Sequence, residues 1–143
     1  GGGNELDAYV SYDFGPLALT VTNYTFPDGD GTYSSGGFFE GDLEISASTD
    51  IGGLSLMAGY FPDLETLYVE AGFGLGAVDF AIGFGSDSAD AFYVGAGESA
   101  ICNVSFGYSK EIKITDDYSL PLFSSFIFNP KSEAAFIVFG ASF

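Results

Sequence analysis

Residues 135–143 read A-F-I-V-F-G-A-S-F, which places Ala135, Ile137, Phe139, Ala141 and Phe143 on one side of an extended chain. Successive side chains of a β-strand point to opposite faces, so this alternation predicts a strand with an apolar side that ends on an aromatic ring. A bilayer-spanning barrel uses such strands with the apolar residues against lipid and the others toward a lumen. Its last strand must also find a partner, because an unpaired edge in hydrocarbon leaves backbone N–H and C=O groups without hydrogen bonds. Ile137, Phe139 and Phe143 are therefore the candidate barrel-closing residues of the C-terminal strand.

The same period of two recurs upstream over nearly the whole chain, and nine strands are predicted. The first, at about 4–13, sets Leu6, Ala8, Val10 and Tyr12 against Glu5, Asp7, Tyr9, Ser11 and Asp13. The second covers about 17–26 and stops at Pro27, which cannot donate to a ladder. The third and fourth, at about 38–50 and 54–61, are joined by Gly52-Gly53. The fifth, at about 65–74, alternates Leu67, Val69, Ala71 and Phe73 with Thr66, Tyr68, Glu70 and Gly72. The sixth, at about 77–85, sets Val78, Phe80, Ile82 and Phe84 against Asp79, Ala81 and Gly83, the clearest alternation in the chain. The seventh runs over about 99–114 and the eighth over about 118–128, with Pro121 near its start, before the loop at 129–133 leads into the terminal strand.

At 143 residues the chain has the length of a single domain, 1–143, and its hydrophobic content of 47% excludes a disordered tail. Twenty-one glycines, nine tyrosines and sixteen phenylalanines suit strands and tight turns rather than helices. A spanning helix needs a run of about 18 apolar residues, which the chain lacks, whereas a barrel strand needs only about 9–11 alternating ones. The predicted fold is all-β, an antiparallel up-and-down transmembrane β-barrel.

Twenty acids face three lysines (Lys110, Lys113 and Lys131), with no arginine and no histidine, for a net charge of -17. Nucleic acid is excluded as a partner, since phosphates are neutralised by clustered Lys and Arg. Small cations or other small solutes are the expected partners. A chain this acidic also fits life in high salt, where charge repulsion is screened within roughly 3 Å at 1 M. The absence of histidine removes any Ser-His-Asp triad, and no enzyme is expected. Cys102 is the one cysteine, so it forms no intrachain disulfide and has no companions for zinc. The opening G-G-G-N-E carries neither a basic nor an apolar leader region, which is neutral for an exported protein because processing removes it.

Connection lengths predict an orientation. With Phe143 at the periplasmic end, the connections at 14–16, 50–53, 74–76 and 115–117 are periplasmic, and all are short. Those at about 27–37 and 86–98 fall outside and are long, which is the usual asymmetry, although the one at 62–64 is short. Nine strands leave the first entering from outside, while a single-chain barrel normally has an even number. The expectation is a C-terminal portion of a longer barrel that lacks an odd number of N-terminal strands.

On the inward sides Asp7, Glu44, Glu70 and Asp79 are the candidate lumen-lining acids, with Asp42 and Asp13 nearer strand ends. Without arginines to pair them, ionised carboxylates in a dry interior would cost several kcal/mol each, which implies water or cations beside them. The bland reading of the same residues is a polar interior that never conducts, or an acidic halophilic surface. D-G-D-G-T at 28–32 sets Asp28 and Asp30 as alternate carboxylates in a glycine-rich turn, the start of a calcium loop. That pattern then fails, with Tyr33 and Phe39 where an EF-hand needs glycine and a bidentate acid. No cofactor is expected, and calcium at Asp28 and Asp30 is the one metal alternative. Tyr9, Tyr12, Tyr24, Tyr60, Phe61, Tyr108 and Tyr118 read as an interfacial aromatic girdle, with sugar stacking as the alternative.

Several segments resemble the uncharacterised porin and outer-membrane β-barrel family of the Bacteroidota. They are E-L-D-A-Y-V-S-Y at 5–12, T-N-Y-T-F-P at 22–27, S-K-E-I-K-I-T at 109–115, S-L-P at 119–121, F-N-P at 128–130 and the ending V-F-G-A-S-F. The resemblance implies residence in the bacterial outer membrane against its lipid, and passive diffusion. It supplies no catalytic residue. The chain departs from it in lacking the upstream strands, which there carry aromatic and arginine residues, so pore size and an arginine constriction do not carry over.

The function expected is a small passive, cation-favouring porin. One alternative is a non-conducting structural or accessory outer-membrane barrel that binds a protein partner through its external loops. The other is a secreted soluble β-sandwich or surface-assembly subunit of a halophile, whose alternating faces would pack sheet on sheet.

Overall fold

In the computed structural model, which describes residues 6–26, 41–88 and 91–142, the chain forms one sheet of nine antiparallel strands in sequence order. The strands are β1 (Leu6–Asp13), β2 (Leu17–Thr25), β3 (Asp42–Ile51), β4 (Leu54–Phe61), β5 (Thr66–Leu75), β6 (Val78–Asp87), β7 (Ser99–Lys113), β8 (Ser119–Asn129) and β9 (Ala134–Ala141). Each strand pairs with its sequence neighbours, and no helix occurs among the described residues. The all-β, antiparallel up-and-down architecture expected from the alternation is thus the observed one.

The connections sort into two rims. Residues 14–16, 52–53, 76–77 and 114–118 turn the chain at one end of the sheet, and 62–65, 88–98 and 130–133 turn it at the other. Gly52 (φ 61°) and Gly53 (φ 88°) both lie in the left-handed region that a tight two-residue hairpin requires, so glycine at both positions sets the β3–β4 register. At the opposite rim Asn129 Oδ1 accepts the backbone N–H of Lys131 (2.9 Å) and of Ser132 (3.1 Å), a side-chain turn that starts β9.

Strand pairing fixes which residues share a face. Val10, Val21, Ile45, Tyr60 and Leu67 lie in one continuous cross-strand row, so they and their i±2 neighbours form a single apolar face. In β6 and β9 that face carries Phe80, Ile82, Phe84, Ile137 and Phe139, all exposed. The polar face is the one that curls inward: Thr22, Glu44, Phe61, Thr66, Asp87 and Cys102 are buried on it. Phe61 and Cys102 are the buried hydrophobic residues among those described, and in β8 and β9 the polar face also carries the exposed Phe123, Phe136 and Val138.

One irregularity interrupts the alternation. Gly83 pairs with Asn103 and the adjacent Phe84 with Ile101, which leaves Cys102 as an extra residue in β7. This β-bulge turns both Cys102 and Asn103 toward the polar face. It also explains why outward Ile101 and Val104 are three residues apart rather than two.

β1 and β9 each have a single neighbour. In an odd antiparallel series they run in the same direction, so pairing them directly would form a parallel ladder.

Candidate functional site

The register brings all four inward-facing acids to the polar face. Asp7 pairs with Tyr24 and Tyr24 with Asp42, Glu44 is two residues beyond Asp42, and Glu70 pairs with Gly83, four residues from Asp79. They form no single cluster. Asp7 and Glu44 lie toward the rim of the 88–98 connection, Glu70 lies mid-strand, and Asp79 lies near the short-turn rim opposite Gly74 and Gly107. Among the described residues no group of three potential ligands could hold a metal ion. Asp28 and Asp30 lie outside the described residues, as does Phe143, while Ile137 and Phe139 sit exposed on the apolar face.

Two of the acids are built into hydrogen-bonded units. Glu44 is 8% exposed, and the Tyr24 hydroxyl donates to its Oε2 at 2.7 Å. The carboxylate fits because Gly59 has no Cβ; one there would collide with Glu44 Oε1. Glu70 Oε2 accepts the Tyr68 hydroxyl (2.5 Å) and Asn103 Nδ2 (2.8 Å), and the same amide nitrogen also donates to the Tyr68 oxygen (3.1 Å). The bulge makes this unit possible by turning Asn103 inward. Gly83 makes it fit, since a Cβ there would strike the Tyr68 ring.

Asp87, at the end of β6, is a residue that alternation does not single out. It is 3% exposed, and its Oδ2 accepts four consecutive backbone N–H groups: Phe92 (3.0 Å), Tyr93 (2.9 Å), Val94 (2.8 Å) and Gly95 (3.0 Å). Thr66, fully buried, donates its hydroxyl to Asp87 Oδ1 at 3.2 Å. Charge-assisted bonds of this kind are about twice as strong as neutral ones, so a short stretch of loop is held onto the sheet by one carboxylate.

That stretch lays two aromatic rings against the polar face, Phe92 remaining 46% exposed. Ring centroids step from Tyr24 to Phe61 (5.7 Å), Phe61 to Phe92 (4.9 Å), Phe92 to Tyr93 (4.8 Å) and Tyr93 to Tyr68 (5.0 Å). The chain of contacts therefore links β2, β4 and β5 through the loop. Tyr93 packs over Gly85, where an added Cβ would meet its own Cβ at 2.6 Å. Burial and then the neighbouring Glu44 charge hold the Tyr93 phenol above its ordinary pKa. Tyr9, Tyr24 and Phe61 thus differ from the girdle expectation: they lie on the polar face, whereas Tyr12, Tyr60 and Tyr108 lie on the apolar face.

Toward the short-turn rim the interior opens. A hollow of about 470 Å³ is lined by Asp50, Ser55, Gly72, Asp79, Ser105 and Ser125, among others. Its small hydroxyl and glycine positions leave room that the aromatic end does not. The lysines are engaged elsewhere: Lys113 Nζ lies 2.7 Å from Asp116 Oδ1, Lys131 pairs with Glu98, and Lys110 is exposed on the apolar face. With no arginine in the chain, the inward carboxylates have no arginine counter-charge. No family model, curated protein or solved structure matches the chain.

Proposed function

We propose that the chain forms the wall of a small, passive, cation-favouring pore in a bacterial outer membrane. The observation that carries this reading is the inverted distribution of side chains: large apolar residues are exposed along the outer face of every strand, while the carboxylates face in. Full burial of an apolar side chain is worth about 1.5–3 kcal/mol in water. A sheet that fully buries only Phe61 and Cys102 among its described hydrophobic residues gains little that way, and a contiguous apolar face calls for lipid or a partner. Lipid suits it best, because the apolar face is carried by all nine strands, whose 8–15 residues bracket the about 9–11 that a bilayer-spanning strand needs.

Selectivity follows from charge. Carboxylates along the path raise the local concentration of cations, and the absence of arginine removes the opposing charge. A wall of about nine strands encloses a bore scarcely wider than its own side chains, which restricts passage to ions and small solutes. Closing the wall needs either a parallel β1–β9 pair or further strands beyond the two edges. The resemblance to Bacteroidota porins agrees with this compartment.

A non-conducting accessory barrel is the second reading, and the aromatic packing of Tyr24, Phe61, Phe92 and Tyr93 favours it. The soluble sandwich draws no support from a single sheet. Reconstitution into planar bilayers separates the readings: stepwise current supports the pore, and a folded, inserted protein that carries none supports the accessory barrel. A monodisperse protein in detergent-free buffer would remove the membrane reading altogether.

A further inference from the structure

The connection between β6 and β7 lays Phe92 and Tyr93 against the polar face, and one carboxylate binds four of its backbone N–H groups. We infer that Asp87 is a positioning residue: by gathering four backbone N–H groups of 92–95 it holds Tyr93 and Phe92 across the polar face, and these two rings set the largest solute that passes. The size-setting part of this inference rests on the pore reading; the fastening part does not.

Three observations converge. First, the Asp87 carboxylate is 3% exposed and uses both oxygens, Oδ2 for the loop and Oδ1 for Thr66, so loop and sheet are joined through one side chain. Secondly, the loop rings pack against the wall, Phe92 on Phe61 and Tyr93 on Tyr68 and over Gly85, with Phe92 left 46% exposed. Thirdly, the wall itself is recessed at this level: Gly59, Gly83 and Gly85 carry no side chain, and their space is taken by Glu44, Tyr68 and Tyr93 respectively. Removing the loop from such a wall would leave a wide opening, whereas seating it leaves the Glu44 and Glu70 units beside the two loop rings. The fastening is charged and buried; the loop is also tied by backbone bonds from Asp87 N–H to Glu98 O (3.0 Å) and from Gly97 N–H to Ser88 O (3.0 Å) and by its two rings, while the half-exposed Lys131–Glu98 pair is of the kind worth little in water.

The experiment compares the wild-type protein with Asp87→Ala and Tyr93→Ala, each refolded into lipid vesicles and checked for the folded form by its electrophoretic mobility without boiling. Amide hydrogen exchange at 92–95 reads the fastening, and the rate of vesicle swelling in uncharged sugars of increasing size reads the bore. In Asp87→Ala the four amides should exchange at least about tenfold faster, the equivalent of losing one charge-assisted bond, and larger sugars should enter. In Tyr93→Ala, which leaves Asp87 and its four bonds in place, the amides should stay protected while the size limit still rises. Should Asp87→Ala not fold, Tyr93→Ala alone reads the bore, and Asp87→Asn, which keeps a carbonyl acceptor but no charge, reads the fastening with a smaller loss of protection.

Unchanged protection at 92–95 in a folded Asp87 variant overturns the fastening. An unchanged size limit in Tyr93→Ala, with wild-type vesicles that do swell, overturns the assignment of the bore to these rings. Wild-type vesicles that admit no solute and carry no current overturn the pore reading and the size-setting part with it, and the exchange measurement still decides whether Asp87 fastens the loop.

Discussion

At the scale of single residues, the interior is held by polar side chains that fit only because a neighbour is glycine. Gly83→Ala would push a Cβ into the Tyr68 ring and separate it from Glu70 and Asn103; a loss of about 1–3 kcal/mol is expected in urea unfolding of the vesicle-inserted protein. Tyr24→Phe removes the hydroxyl that donates to the buried Glu44 and should cost about 1.5–3 kcal/mol by the same measurement. Both effects trace to groups whose facing direction the alternation already gave, since Glu44, Tyr68, Glu70 and Gly83 share the polar parity. Asp87 was not legible in that way. It stands in a stretch of Ser, Asp and Ala that reads as loop, and its function depends on four backbone N–H groups whose direction no side-chain pattern encodes. Phe61 was legible in principle, because it shares parity with Ser55, Met57 and Gly59, but its place at a strand end made a girdle role the simpler reading.

At the scale of elements, the strands were readable because one face is apolar throughout, and a slip of one residue would reverse every side chain of a strand. The clearest alternation, in β6, became a strand that starts one residue later than the pattern suggested and extends two residues further, through Ser86 and Asp87. The β7 bulge was the one local feature the period concealed, although the three-residue spacing of Ile101 and Val104 marks it. What the apolar face touches is testable on β6. Ile82 is 48% exposed at mid-strand, so replacing it with lysine would be nearly neutral in water. Against lipid, Ile82→Lys should cost about 2–4 kcal/mol in refolding free energy. A cost below about 0.5 kcal/mol would place that face in water.

At the scale of the whole molecule, the sheet combines a loop-filled end, where Phe61, Phe92 and Tyr93 pack, with a hollow of about 470 Å³ at the other, lined by Asp50, Asp79 and several serines together with Phe73, Phe80, Tyr108 and Phe123, and carboxylates line both. Among the described residues β1 and β9 each have one neighbour and run in the same direction, so pairing them with each other would make a parallel seam. The net charge of -17 has a further consequence: exposed carboxylates are screened over about 10 Å at 0.1 M salt and about 3 Å at 1 M, so cation preference should weaken as salt rises. On the proposed pore reading, the inward carboxylates make the interior a path for cations. The most direct test of that reading is the reversal potential of single channels under a KCl gradient, measured for the wild-type protein and for Glu70→Gln. The account predicts a wild-type potential displaced toward that of potassium and a smaller displacement in the variant; a wild-type potential displaced toward that of chloride, or no stepwise current, would contradict it.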